Sequence, residues 1–299
     1  MKLPPHIILE VTRRCNYRCP FCYCVWHEFP RLARPALSTA AWKSIISECA
    51  ERGVTSLLFT GGEALLRRDI RELLDHARRL LPQGDLAIFS NGSRLDEETL
   101  CYLKRRRIRG AISLPGLRTY GELTGTGRTY RPLLRTIARA AELGWPLAVS
   151  ITVNRVNLAE AADLFAAAAL SRPESIQVGA VMAEGRARRD FDLMLTPAEW
   201  DEVKRRIREL PDCRVPYSFC DEFFCRCRDY PAAWAERFGL DGKPCPAGRD
   251  FGVIGPDGKF RKCLHTVEEC DWRSARAQNT VCADMTARTT KGRQTGGDA

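Results

Sequence analysis

Six short apolar runs alternate with five amphipathic stretches between residues 6 and 185, and few folds satisfy that order. Ile7–Val11, Ser56–Phe59, Leu86–Phe89, Gly110–Leu114, Leu147–Val153 and Ser175–Val178 read as strands. Ser38–Arg52, Arg67–Leu81, Asp96–Arg107, Tyr130–Leu143 and Leu158–Leu170 read as the helices between them. Ser38 or Thr39 supplies an N-cap to the first helix, and Gly53 and Gly144 stand where C-terminal glycines belong. Strands separated by helices pair in parallel through right-handed crossovers. Their continuous apolar character suits a sheet covered on both faces. The expected fold class is therefore α/β: a partial (β/α)6 TIM-like barrel over residues 1–185, with its ligands at the carboxyl ends of the strands.

Beyond residue 185 the pattern changes. Residues 186–212 read as a polar linker and one helix, with Thr196 as N-cap and Pro197 at the first helical position. Residues 213–283 are turn-rich and Cys-rich, with a hairpin turn expected at Gly255-Pro256-Asp257-Gly258. Residues 284–299 have almost no apolar content and are expected to be disordered.

The cysteines are unevenly placed: of 14, four lie in 15–24, eight in 213–282, and Cys49 and Cys101 stand alone. The N-terminus reads as a strand rather than a signal peptide, so a cytoplasmic, reducing location is expected, where clustered thiols bind metal more often than they form disulfides. No apolar run approaches the roughly 18 residues of a membrane span. The net charge of +10 comes from Arg and Lys along helix faces, such as Arg67, Arg68, Arg71 and Lys104–Arg107. Aromatic residues are not interleaved with them as base stacking requires, which argues against a nucleic-acid partner.

The segment Cys15-Asn-Tyr-Arg-Cys19-Pro-Phe-Cys22 follows the first strand directly. Three cysteines in one tight loop can present three thiolates to one cubane. A [4Fe–4S] cluster normally takes four cysteines, so a three-cysteine site leaves one iron open to an exogenous ligand. Cys24 is an alternative fourth ligand, giving a closed cluster or a zinc site, although one residue between it and Cys22 makes that geometry awkward.

C-x3-C-x-aromatic-C with Phe21 as the aromatic resembles the signature of the radical S-adenosylmethionine (SAM) enzymes. Thr60-Gly61-Gly62-Glu63, after the second strand, resembles the element of that family that binds the SAM amino group. Ser90-Asn91-Gly92 and Ser113-Leu114-Pro115-Gly116 resemble two further elements, with Ser113 implied to contact the SAM ribose or carboxylate and Pro115 replacing the family's Asp. The resemblance places Arg128 as a partner of the SAM carboxylate, and Asn154, with Val153, beside the adenine or simply in strand-end packing. Over residues 5–185 it implies a [4Fe–4S] cluster with an open iron on Cys15, Cys19 and Cys22, and SAM as cofactor. The implied reaction is reductive cleavage of SAM to a 5′-deoxyadenosyl radical that abstracts hydrogen from a substrate. A flavodoxin or ferredoxin is the implied electron donor.

Cys245-Pro-Ala-Gly248 through Gly258-Lys-Phe-Arg-Lys-Cys263 resembles the opening of the SPASM and twitch domains that follow the barrel in one branch of this family. Only Cys270 and Cys282 follow, so a truncated, twitch-like domain with one auxiliary [4Fe–4S] cluster is implied. Cys245 and Cys263 are its expected ligands with Cys270 and Cys282, while Cys220, Cys225 and Cys227 compete and Cys213 is a weaker candidate. A zinc site in 213–227 is the alternative. Cys49 and Cys101 are expected in the core, and His27 and His265 at the surface or in packing. Relatives with such a domain mostly modify peptides, so the expected activity is a radical SAM peptide maturase (oxidation or cross-linking). The alternatives are a small-molecule dehydrogenase and a non-catalytic iron–sulfur electron carrier, against which Gly61-Gly62-Glu63 and the barrel both stand.

Overall fold

The structure is a computed structural model, and it describes residues 2–29, 32, 37–211, 213–221 and 246–273. Strands β1 (His6–Thr12), β2 (Ser56–Gly61), β3 (Asp85–Ser90), β4 (Ile108–Ser113), β5 (Leu147–Val153) and β6 (Ser175–Ala180) lie in sequence order and pair in parallel. Helices α1 (Thr39–Glu51), α2 (Ile70–Leu80), α3 (Glu97–Arg105), α5 (Arg131–Glu142) and α6 (Ala161–Leu170) return the chain between them. Leu9, Leu57, Phe59, Ile88, Ile112, Val149 and Val178, on the face of the sheet turned to the helices, are fully buried against helix residues such as Trp42, Ile46 and Phe165. Each such side chain contributes about 1.5–3 kcal/mol by leaving water. Among the described residues no helix is long and apolar enough to cross a membrane.

The local signals act as expected at the helix ends. The Ser38 hydroxyl accepts from the Ala41 amide, and Thr196 forms a capping box with Glu199 at the start of α7 (Pro197–Arg208). Two helices start three residues late: α2, expected from Arg67, begins at Ile70, and α6, expected from Leu158, begins at Ala161. Arg67 is extended, and its guanidinium donates to the Val11 and Leu37 carbonyls, strapping α2's entry to β1 and the start of α1.

Residues 213–283 are expected as a twitch-like auxiliary cluster domain; their described strands extend the same sheet at both ends, in the order β7-β6-β5-β4-β3-β2-β1-β8-β9. β7 (Tyr217–Cys220) pairs in parallel with β6, and β8 (Phe251–Ile254) pairs in parallel with β1. The hairpin expected at 255–258 is present and turns β8 into antiparallel β9 (Phe260–Arg261). Gly258, at φ +82°, sits in that turn. Beneath it, Arg261 makes a buried ion pair with Glu10 of β1, an unusual charge pair for a sheet interior. A short helix that the sequence pattern does not show, α4 (Tyr120–Thr124), follows β4. Cys225, Cys227, Cys245, Cys282 and the tail 284–299 lie outside the described residues.

Candidate active site

The loop after β1 is held from three sides, mostly through backbone. Gly62 donates its amide to the Thr12 carbonyl at 2.7 Å, and Glu63 donates to the Arg14 carbonyl at 2.8 Å. These contacts explain both glycines. A Cβ on Gly61 would stand 2.1 Å from the Thr12 oxygen, and one on Gly62 would stand 2.4 Å from the Arg14 oxygen. From the far side, the Arg186 amide donates to the Cys22 carbonyl at 2.9 Å and its guanidinium to the Cys19 carbonyl at 3.2 Å. Gly185, at φ +59°, lets this segment approach: a Cβ there would be 2.3 Å from the Cys22 oxygen. α4 closes the third side, with the Arg18 amide on the Thr124 carbonyl at 2.8 Å and the Tyr17 and Tyr120 hydroxyls 3.0 Å apart.

Glu63 does not point its carboxylate into open space. It is fully buried and accepts from the Leu65 amide at 3.0 Å, the Ser90 hydroxyl at 2.9 Å and the Asn91 amide at 2.7 Å. Burial pushes its carboxyl above the ordinary range, and these donors pull it back. Glu63 thus fixes the loop after β3, where the Asn91 amide nitrogen reaches the Asn16 side chain at 2.9 Å and the Cys15 sulfur at 3.8 Å. Glu160 does the same one loop on, taking the amides of Leu117 and Arg118 at 2.8 Å each.

A cavity of about 300 Å³ opens at the carboxyl ends of the strands. Cys15, Cys19 and Cys22 line one side with Gly61, Gly62 and Asn91. Ser113, Thr152, Gln177 and Cys220 come from later strands, and Leu264 and His265 from beyond β9. His265 is thus a wall residue, packed edge-on against Tyr23 with ring centres 5.8 Å apart. Two expected site residues lie elsewhere. Asn154 is buried behind the wall, its carbonyl oxygen accepting from Val156 and its amide nitrogen without a partner among the described residues. Arg128 is exposed on a neighbouring groove with Arg94 and Tyr120. Nothing in the sequence pattern marked Gln177, Thr152, Arg186 or Asn157, whose side chain ties the Pro115 and Thr152 carbonyls at 2.7 and 2.9 Å.

The thiols suit a multi-atom cluster. Burial pushes the Cys19 thiol up to about 12, and the neighbouring Cys22 and Cys15 thiolates add to the shift. Cys22 is held below the usual thiol range by a hydrogen bond from Cys24. Buried Cys24 also lies 3.6 Å from the Gly61 carbonyl. A cation binding here relieves that mutual repulsion by displacing the protons. Zinc needs its sulfurs within about 2.3 Å of one point. Among the described residues no three Cys, His, Asp or Glu side chains converge on a single ion in that way.

Of the C-terminal thiols described, Cys263 is buried beside Met182 and Phe251, and Cys220 stands at the end of β7 on the cavity wall. Cys270 is disulfide-bonded. Its backbone bridges Phe260 in both directions at 2.9 Å, which holds it beside β9. Cys49 is fully buried in α1 and Cys101 half-buried in α3.

The sequence profile described as the Radical SAM superfamily matches residues 9–168. A PqqA peptide cyclase of Bradyrhizobium diazoefficiens is 27% identical over 295 residues, covering 93% of this chain and 72% of that protein. The sporulation killing factor maturation protein SkfB of Bacillus subtilis is 29% identical over 210 residues, covering 69% of this chain and 50% of that protein. This chain therefore spans half the length of SkfB. Among solved structures, Streptococcus suis SuiB bound to its precursor peptide SuiA has a TM-score of 0.69 at 14% identity, covering 96% of this chain and 67% of SuiB. Native anSMEcpe with bound AdoMet has a TM-score of 0.64 at 14% identity, covering 88% of this chain and 74% of that one. At such identities the structural likenesses establish a shared fold.

Proposed function

This chain belongs to the radical SAM superfamily, and we propose that it is a peptide maturase that oxidises or cross-links a side chain presented at the cavity. What carries this conclusion is the convergence of Cys15, Cys19 and Cys22 on one cavity at the strand ends, in a chain with a peptide cyclase and a peptide-factor maturation protein among its relatives. Cys15, Cys19 and Cys22 would hold a [4Fe–4S] cluster, which when bound would supply the electron for reductive cleavage of SAM.

The chain's own residues bind, orient and exclude water. Gly61 and Gly62 keep the floor of the loop free of side chains, and Glu63 holds Ser90 and Asn91 in place. Asn91 and Ser113 offer neutral hydrogen-bond partners to SAM, and Gln177 and Thr152 offer them to the substrate. Lining by Phe89, Ile151, Met182 and Leu264 keeps water from the reacting carbon. Cys263 would help hold an auxiliary [4Fe–4S] cluster, with Cys245, Cys270 and Cys282 as its expected partners and Cys220, Cys225 and Cys227 as competing ligands. Support comes from Cys263, which packs against Met182 behind the cavity. Cys270 would have to leave its disulfide to join that cluster.

The test is made on protein reconstituted with iron and sulfide without oxygen, then given SAM and dithionite. Deoxyadenosine should form with the wild type and not with the Cys15/Cys19/Cys22→Ala variant. Iron should be about eight per chain in the first and about four in the second. A full iron complement with no deoxyadenosine would overturn the catalytic claim in favour of an electron carrier.

A further inference from the structure

The later strands put a row of neutral polar groups where a barrel would ordinarily place aliphatic ones. Ser113, Ser150 and Gln177 pair in register on β4, β5 and β6, and all three line the cavity. Ser218 of β7 pairs with Gln177 and continues the row. The adjacent positions on the same strands, Ile112, Val149 and Val178, are aliphatic and fully buried. Among the described residues no hydrogen-bond partner within the protein is found for any of the four polar side chains. Gln177 is exposed on the cavity wall.

Two further observations bear on what that row meets. Gly179 lies two residues beyond Gln177 on β6 and also lines the cavity. A Cβ there would meet only Cys220, at an ordinary 3.4 Å, so the protein's own packing does not call for glycine. A bare strand position of this kind leaves room for another backbone to approach. Among the described residues, moreover, no Asp, Glu, Lys or Arg side chain lines the cavity. An ionised side chain drawn in would lose its water without gaining an opposite charge from these walls. Adjacent strands lie about 4.8 Å apart, so Gln177 stands about 10 Å across the sheet from Ser113, the implied SAM contact.

We propose that Gln177 determines specificity by pairing its carboxamide with a backbone peptide unit of the substrate, at a residue whose side chain is uncharged. The inference rests on the peptide-maturase reading and names the substrate class of the same site. A carboxamide carries an acceptor and donors in one plane, which matches the C=O and N–H of a peptide unit. Ser150 and Ser218, its register partners on either side, can donate or accept as the bound backbone requires. The open position at Gly179 admits that backbone, and the uncharged walls set the penalty against Lys and Glu.

The test gives the reconstituted full chain SAM, dithionite and acetylated, amidated tripeptides Gly-Xaa-Gly, with Xaa deuterated Val, Leu, Phe, Asn, Lys or Glu. Deuterium in the deoxyadenosine reports hydrogen taken from Xaa. In kcat/KM the Val, Leu and Phe peptides should exceed those of Lys and Glu by about a hundredfold. Replacing the Xaa N–H by an ester oxygen should cost the wild type about tenfold and Gln177→Leu much less. Gln177→Leu should raise the KM for the Val peptide about tenfold, with a smaller change in the KM for SAM. Gln177→Glu, which keeps the side chain's shape, should narrow the penalty against Lys about tenfold. Equal rates from charged and uncharged peptides, or an ester as good as the amide, would overturn the proposal. So would a shift in the KM for SAM as large as that for the peptide, and so would transfer from Asn alone, which would make a side-chain amide the group recognised. Deoxyadenosine without deuterium from any peptide would overturn the maturase reading as well. Its complete absence would overturn the cluster site on which both rest.

Discussion

The two cysteine regions of this protein differ in how much each depends on a single side chain. The N-terminal loop packs three thiols into eight residues and is fastened mainly through backbone: Thr12, Arg14, Arg18, Cys19 and Cys22 all bond through main-chain atoms. Cys263 and Cys270 lie just beyond a short hairpin whose strand β8 pairs with β1 and whose turn is fastened further by one buried side chain. Arg261 bonds Glu10 on β1 and also donates to the Leu264 and Thr266 carbonyls at 3.3 and 3.2 Å, so it fixes the turn that carries Cys263 and the wall residues Leu264 and His265. A loop held mainly through backbone should tolerate loss of single side chains better than a turn that also depends on a buried charge.

The largest expected effect therefore comes from Arg261→Met. Removing one partner of a buried ion pair costs about 3–5 kcal/mol because the other charge is left unpaired. The cost should depend on pH. Burial raises the Glu10 carboxyl from its ordinary 4.5 to about 7, against the pull of Arg261. Between those values the folded chain binds more protons than the unfolded one, so this group's contribution falls as pH rises through that window and is flat above it. Without Arg261 the carboxyl rises further and the fall extends above pH 7. Thermal unfolding should thus show a larger deficit at pH 8 than at pH 5.5. An equal deficit at both would mean that Arg261 holds the hairpin by packing alone.

The same contrast explains what the sequence disclosed. Strands β1 to β6, the Ser38 and Thr196 caps and the three-cysteine loop rest on signals within a few residues, and they fall close to where periodicity and capping place them. β7 and β8 are four residues each and carry no period of their own; they are strands because β6 and β1 offer them edges. Arg261 reads as a surface charge, since its partner Glu10 lies 251 residues away. Gly185 and Arg186 look like linker until the Cys22 carbonyl is placed against them. Glu63 stands where the family resemblance puts it, but the use of its carboxylate is visible only once Ser90 and Asn91 are brought to it.

Gly62→Ala attacks the backbone-held loop where it has no slack. The added methyl would meet the Arg14 carbonyl at 2.4 Å, and both atoms belong to main chain, so the loop must shift. A displacement approaching 1 Å at a reacting centre costs on the order of 100-fold. Dithionite-driven deoxyadenosine should fall by about that factor, equivalent to about 2.7 kcal/mol. Gly53→Ala is the control: at φ +81°, with nothing within 4 Å of the new methyl, it should cost about 1 kcal/mol of stability and leave the chemistry alone. If both variants behaved alike, the close approach of Gly62 to the loop would not be what matters.

The smallest effect is the sharpest test of redundancy. Tyr120→Phe deletes one hydroxyl from a buried pair whose oxygens are 3.0 Å apart, leaving the edge-to-face contact of the rings intact. Losing such a bond costs about 0.5–1.5 kcal/mol, a modest drop in unfolding temperature for a chain of this size. The Arg18 amide still reaches Thr124, and Gly62, Glu63 and Arg186 still hold the other sides. Iron content and deoxyadenosine yield should stay within about twofold of the wild type. A loss of deoxyadenosine comparable to that expected of Gly62→Ala would show that α4 is a principal support of the loop, and the contrast between a redundantly held loop and a turn dependent on Arg261 would fail.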